Sequence, residues 1–212
     1  MVLTLYGNLG ATCTKRVRTV LAELSVPYEF VNIDLAKGEQ KAPAYLALQP
    51  FGQVPYLDDD GFTLFESRAI ARYLALQYGG VGTLIPDPKD VRKTARFEQA
   101  ASVEMSNFEP SAVGLAIENL FKPMYGQATD TVKAEQLKTT LEGKMAGYEA
   151  ILSKTQFLAG DEITLADLFH LPCGALLENQ GIDFLVSDRW PNVARWWKAV
   201  SSRESWKKVS QA

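Results

Sequence analysis

The sequence predicts a chain of two kinds of structure, an α/β unit at the N-terminus and an all-helical unit after it. Three observations carry this expectation. Short apolar runs closed by turn residues alternate with helical patterns as far as Leu74. A break rich in helix- and strand-interrupting residues follows, Gly79-Gly80-Val81-Gly82 and then Pro86-Asp87-Pro88. Beyond it, apolar residues recur at intervals of three and four, and no stretch alternates. The expected layout is an N-terminal domain over 1–80, a linker over 81–90 and a helical domain over 91–212.

Within the first domain, the apolar run from Val2 to Tyr6, ended by Gly7, reads as a strand. A helix from about Thr12 to Leu24 carries Val17, Val20, Leu21 and Leu24 at helical spacing, with Thr12 or Thr14 as its cap and Pro27 beyond its end. Tyr28 to Ile33 alternates as a second strand, and a short helix is expected around Ala44 to Leu48. Val54 to Leu57 and Phe62 to Phe65, joined by Asp58-Asp59-Asp60-Gly61, read as a hairpin. A helix opening at Glu66-Ser67 closes the order β-α-β-α-β-β-α. A right-handed β-α-β unit followed by a hairpin and a helix is the thioredoxin-like arrangement. In the second half, helices are expected over Arg92–Phe108, Ser111–Tyr125, Thr131–Leu152, Thr164–Leu177 and Val193–Ser201, with Thr164 and Asp167 as a capping box.

Composition narrows the chemistry. Among 212 residues, 22 Lys and Arg against 25 Asp and Glu leave a net charge of −3, no field for nucleic acid or anionic lipid. No apolar span approaches the roughly 20 residues of a membrane helix, and the start has no basic leader, so a cytoplasmic protein with neither nucleic-acid nor membrane partner is expected. One histidine, His170, and two distant cysteines, Cys13 and Cys173, are too few for a zinc cage or a disulfide framework, and no metal is expected. His170, within Leu168-Phe169-His170-Leu171, reads as a packed core residue, and Trp190, Trp196, Trp197 and Trp206 as core and tail packing.

The stretch from Pro50 to Leu74 holds the binding chemistry. Gln53-Val54-Pro55 sets a proline at a strand entry, a candidate cis bond that turns the Val54 peptide outward. At Glu66-Ser67 a hydroxyl and the unpaired N–H groups of a helix's first turn face an approaching carboxylate. An outward amide beside such a helix start suits a short extended peptide with a free α-carboxylate, and glutathione is one.

With these residues in view, the chain resembles phi-class glutathione transferases. PFGQVP and FESRAI resemble that class's glutathione-binding segment. YGNLGATCTKRV, GEQKAPAYLALQPFGQVP, LFKPMYG and FLAGDEITLADLFHLP resemble further segments in the family's order and cover nearly the whole chain. The resemblance implies a thioredoxin-like domain that holds glutathione, a helical domain that gives the electrophile an apolar wall on helix faces such as those of Phe108, Leu115 and Phe121, and a homodimer. The implied reaction is conjugation of reduced glutathione to apolar electrophiles. Two alternatives stay open, a glutathione-dependent ligand carrier of the ligandin type with weak turnover and a thiol transferase built on Cys13.

Carried over position by position, the resemblance assigns Gln53, the Val54 backbone and Pro55 to the cysteinyl part, and Glu66 and Ser67 to the γ-glutamyl end. Lys41 is assigned to the glycyl carboxylate, with Gln40 as a neutral amide donor beside it; a solvated polar loop is the other reading of that pair. The family's catalytic serine lies five residues before the first-helix arginine, and counting back from Arg16 reaches Ala11. Alanine cannot donate. Thr12, which offers a hydroxyl and a helix-start N–H, is the first candidate to activate the thiol, and Cys13 the second, an inert packed cysteine being its other reading. Helical rotation is expected to turn Cys13 about 200° from the Ala11 face, towards the domain interior.

Overall fold

The computed structural model describes residues 3–211. Val2, expected to open the first strand, lies outside the described residues. The chain divides into two compact units, one running to Val81 and including the residues from Glu204 on, the other Gly82–Arg203.

In the first unit, β1 (Leu3–Gly7) pairs in parallel with β2 (Glu29–Asn32), and the strand order is β2-β1-β3-β4. The antiparallel strands are β3 (Tyr56–Asp59) and β4 (Phe62–Phe65). Asp58 and Asp59, expected in the turn, extend β3, because Asp60 and Gly61 close the hairpin alone. Both have positive φ, 53° and 89°, the pairing that a two-residue turn needs to match strand twist. The helices α1 (Thr12–Glu23) and α3 (Ser67–Gln77) bury Leu21, Val20 and Val17 of the one and Ile70, Ala71 and Leu74 of the other. Each fully buried Leu, Ile or Val contributes about 1.5 to 3 kcal/mol. The short α2 (Pro43–Leu46) follows a 3₁₀ turn over Glu39–Lys41.

Neither threonine caps α1. Its N-cap is Ala11, with no side-chain bond, while Thr14 is wholly buried and its Oγ1 accepts from the Asn8 N–H at 3.3 Å. The helix stops before Pro27 is reached. Ser25 turns left-handed (φ 54°), and the Val26 and Ser25 N–H groups donate back to the Leu21 and Ala22 carbonyls, satisfying helix-end acceptors.

In the second unit, α4 (Val91–Val103), α5 (Glu109–Ala116) and α6 (Lys122–Met124) are joined by wider, π-helical turns over Glu104–Phe108 and Ile117–Phe121. The expected regular helices do not run through, and the prolines explain why. Pro110 and Pro123 have no N–H and would clash with the carbonyl four residues back. The residue before each, Glu109 or Lys122, instead donates five residues back, to Glu104 or Ile117. Pro172 acts similarly on the expected 164–177 helix, which is divided into α8 (Leu165–Leu168) and α9 (Leu171–Asn179).

The long α7 (Thr131–Leu152) and α10 (Pro191–Ser201) complete this unit. The capping box is present: Asp167 accepts from the Thr164 N–H at 2.8 Å, and also from Leu158 N and Trp196 Nε1. Burial pushes the Asp167 carboxyl above the usual carboxylate range against these four donors, counting the Thr164 hydroxyl. His170 is a core residue, wholly buried, with Nδ1 2.9 Å from the Ala166 carbonyl and Nε2 3.0 Å from the Tyr148 hydroxyl.

The expected helical domain ran to residue 212. The last helix, α11 (Glu204–Ser210), instead packs with α1 in the first unit, where it buries Trp206 and Val209 and where Ser205 hydrogen-bonds Glu23. Trp206 is therefore a core residue of the first unit, whereas Trp196 and Trp197 belong to the core of the second.

Candidate functional site

Three groups of expected binding residues lie in the first unit, each fixed by contacts the sequence did not announce. The first is the start of α3. Glu66 is its N-cap, exposed and left-handed (φ 73°), and the Glu66 carbonyl accepts the first helical bond from Ile70. This left-handed step turns the chain from β4 into the helix and leaves Ser67 as the first helical residue, 5% exposed. Arg16, 1% exposed, donates from Nη1 to Ser67 Oγ at 2.9 Å and lies 3.5 Å from Cys13 Sγ. Because the serine oxygen accepts from the guanidinium, its own proton is directed elsewhere and can serve an anion.

The second group enters β3. The Gln53 carbonyl accepts from the Tyr45 hydroxyl at 2.7 Å, and its N–H donates to Gln49 Oε1 at 3.2 Å, so the backbone is anchored while the side chain is exposed. Burial pushes the Tyr45 phenol up to about 12, so it remains protonated and able to donate at neutral pH. The Val54–Pro55 bond is cis, and Pro55 is buried. Val54 is half-buried, and among the described residues neither its N–H nor its C=O is paired.

The third group is Gln40 and Lys41. Lys41 is exposed, and its Nζ donates to the Phe51 carbonyl at 3.0 Å, so the lysine folds over the Phe51–Gly52 turn instead of extending into solvent. Gly52 has φ +60°, and a Cβ there would stand 2.7 Å from Lys41 Nζ and 2.8 Å from the Gln40 carbonyl. Only glycine suits both demands. The Gln40 Oε1 atom is buried without a hydrogen-bond partner among the described residues.

At the start of α1, Thr12 and Cys13 are both half-buried. The expectation that rotation turns Cys13 into the interior is not met. Thr14 takes that position, under Gly7, whose Cβ would meet it at 2.7 Å, while Cys13 lies on the side of Arg16. The loop before the helix is held by Asn8, whose Oδ1 accepts from Gly10 N and whose carbonyl accepts from Ala11 N, both at 3.0 Å.

Arg16 and Gly52 are the positions of the candidate site that sequence reasoning missed. The signal for Arg16 was present: a charge sits next to Val17 on the face that carries Val20 and Leu21. In the second unit, Phe108 is packed internally against Tyr148 and His170, and Leu115 is 1% exposed, so neither presents a free apolar face. Among the described residues, no cluster of three His, Cys, Asp or Glu could hold a metal ion, and no helix is long and apolar enough to cross a membrane.

Comparison with known proteins gives the family. Residues 1–76 match the glutathione S-transferase N-terminal domain and residues 111–204 its C-terminal domain. Glutathione S-transferase PM239X14 of Arabidopsis thaliana is 48% identical over 94% of this chain and 91% of its own. Among solved structures, glutathione transferase F7 from Populus trichocarpa superposes with a TM-score of 0.92 at 37% identity, over 99% of this chain and 98% of its own. Glutathione S-transferase I from Mais, in complex with an atrazine glutathione conjugate, gives a TM-score of 0.92 at 32% identity, over 100% and 97%. With both domain models matched and relatives of this likeness along nearly its full length, the chain belongs to the glutathione S-transferase family, among its phi-class members.

Proposed function

We propose that this transferase binds glutathione along the edge defined by Ser67, Val54 and Lys41 and conjugates it to apolar electrophiles. The observation that carries the reading is the buried Arg16–Ser67 pair at the start of α3. A hydroxyl whose oxygen is already occupied by a guanidinium, at the positive end of an eleven-residue helix, is preorganised as a donor to a carboxylate. In this reading Ser67 and its N–H take the γ-glutamyl carboxylate, and the exposed Glu66 carboxylate takes the ammonium beside it. Val54, cis-linked to Pro55, offers its N–H and C=O to the cysteinyl residue, with the Gln53 side chain alongside. Lys41 and Gln40 take the glycyl end.

The thiol needs a donor once Ala11 stands where the family has serine. Thr12 is assigned that role, its hydroxyl and N–H stabilising the thiolate at the start of α1. Cys13 is the second reading, favoured by one observation, the Arg16 guanidinium 3.5 Å from its sulfur. We assign the protein to the cytoplasm, acting as a homodimer. Phe51, 64% exposed beside Phe65, is the apolar anchor that a second copy would cover.

The test is conjugation of glutathione to 1-chloro-2,4-dinitrobenzene, run beside displacement of a fluorescent apolar dye. Turnover lost in Ser67→Ala supports the assignment. Dye binding with no turnover by the unaltered protein would move it to a carrier role, and a monomer by sedimentation would remove the dimer.

A further inference from the structure

The second unit holds a hollow of about 400 Å³ that the transferase chemistry does not use. One wall is a single face of α4, where Arg96, Ala100 and Val103 follow one another at helical spacing. The other wall is the end of α7, with Ile151, and the loop after it, with Lys154 and Leu158. Ala100 and Leu158 are buried, so the floor is apolar. Its only charges are the two cations: no carboxylate lines the hollow, and neither Arg96 nor Lys154 has an ion-pair partner among the described residues.

The loop wall is preformed. Arg195 donates to the carbonyls of Leu152, Thr155 and Gln156 at 2.9 to 3.1 Å, clamping the loop from behind. The buried Asp167 accepts from Leu158 N at 3.0 Å, and Asp161 accepts from Gln156 N at 3.2 Å. A site already ordered loses little entropy when it is filled. Beyond Arg96 and Gly160, which line both, the hollow adjoins a second one whose rim carries four carboxylates, Asp87, Asp90, Asp161 and Glu162, against one further cation, Lys93, itself 3.9 Å from Asp90. That acidic rim repels a second negative group, so a ligand anchored on Arg96 and Lys154 carries one anionic end only.

We propose that this hollow is a binding site for a small apolar monocarboxylate, with its carboxylate between Arg96 and Lys154 and its apolar body on Ala100, Val103, Ile151 and Leu158. The volume falls within the roughly 300 to 1,000 Å³ of small-molecule sites. Built wholly from the second unit, the site does not depend on the glutathione assignment.

The probe is naphthalene-2-carboxylate, titrated by calorimetry into full-length protein saturated with S-hexylglutathione, so that the glutathione site is occupied. One site per chain is expected. Arg96→Glu and Lys154→Glu should each weaken it by about tenfold or more, as should replacing the probe by the uncharged naphthalene-2-carboxamide. Val103→Phe should block it by filling the floor. Lys138→Glu, an equal charge change on exposed α7 surface, should leave it unchanged, and melting temperatures and conjugation rates verify that the variants are folded. No saturable binding, binding competed away by S-hexylglutathione, or an affinity in both charge-reversal variants unchanged from that of the unaltered protein would each overturn the proposal.

Discussion

Arg16 and Ser67, fifty-one positions apart, form a buried hydrogen bond of 2.9 Å that ties the first helix of the thioredoxin-like unit to the start of the third. The guanidinium fixes the serine rotamer and so decides where its proton points. Ser67→Ala should weaken glutathione binding by about 1 to 3 kcal/mol, the value of a charge-assisted bond to a carboxylate. Arg16→Lys should weaken it as well although Ser67 is intact, because an ammonium lacks the planar fork that holds the hydroxyl. Calorimetry at pH 7 measures both, and full affinity in Arg16→Lys would show that Ser67 needs no such support.

Gly52→Ala tests the turn under Lys41. The added Cβ meets the Gln40 carbonyl, a backbone atom, at 2.8 Å and sits at φ +60°, where a side chain is strained. A loss of about 1 to 3 kcal/mol in unfolding free energy is expected, together with weaker glutathione binding as Lys41 is displaced. Urea unfolding measures the first effect, and native stability would mean the turn relaxes freely.

The fold was legible because local signals agreed with it. Alternation marked β2, the run Asp58-Asp59-Asp60-Gly61 marked the hairpin although only its last two residues form the turn, and Thr164 with Asp167 marked a helix start. What escaped depended on contacts distant in sequence. Nothing near Arg16 says that it reaches Ser67, and nothing near Glu204–Ser210 says that this helix returns to α1. The π-helical turns were partly readable, since prolines at 110 and 123 forbid a regular helix, but the choice of a wider turn over a break is made by packing. At the thiol the sequence misled: rotation from an ideal helix put Cys13 inside, whereas Thr14 occupies the interior.

Glu118 provides a pH test. Its side chain is wholly buried, and Lys122, Lys133 and the Asp130 N–H hold its carboxyl down to about 2. A folded-state pKa below the unfolded value means that the stabilisation is present above about 4.5 and is lost as pH falls towards 2. Glu118→Gln should therefore destabilise the protein at pH 7 and progressively less as the pH approaches 3. Urea unfolding at pH 7, 5 and 3 measures it, and a difference from the unaltered protein that is constant with pH would mean that the ion pairs contribute nothing.

The activation of the thiol remains the sharpest question at the site, because Thr12 and Cys13 are both half-buried at the start of α1 and make opposite predictions. If Thr12 is the donor, its contact strengthens as negative charge gathers on sulfur, so Thr12→Val should lower the conjugation rate by about tenfold or more with little change in glutathione affinity. Ala11→Ser should raise the rate by restoring a hydroxyl at the helix cap, and Cys13→Ser should matter little. If Cys13 acts instead, its thiolate attacks the disulfide of oxidised glutathione, forming a protein–glutathione disulfide and releasing one reduced glutathione. Mass spectrometry after incubation with oxidised glutathione would then find one reducible adduct at Cys13, and Cys13→Ser would abolish thiol transfer. The Arg16 guanidinium beside Cys13 Sγ makes that outcome chemically accessible. Conjugation nevertheless needs only a hydrogen bond to the substrate's own sulfur, which a hydroxyl provides without a covalent intermediate, and on that ground the proposal puts Thr12 first. A Thr12→Val enzyme with undiminished turnover would transfer the role to its neighbour.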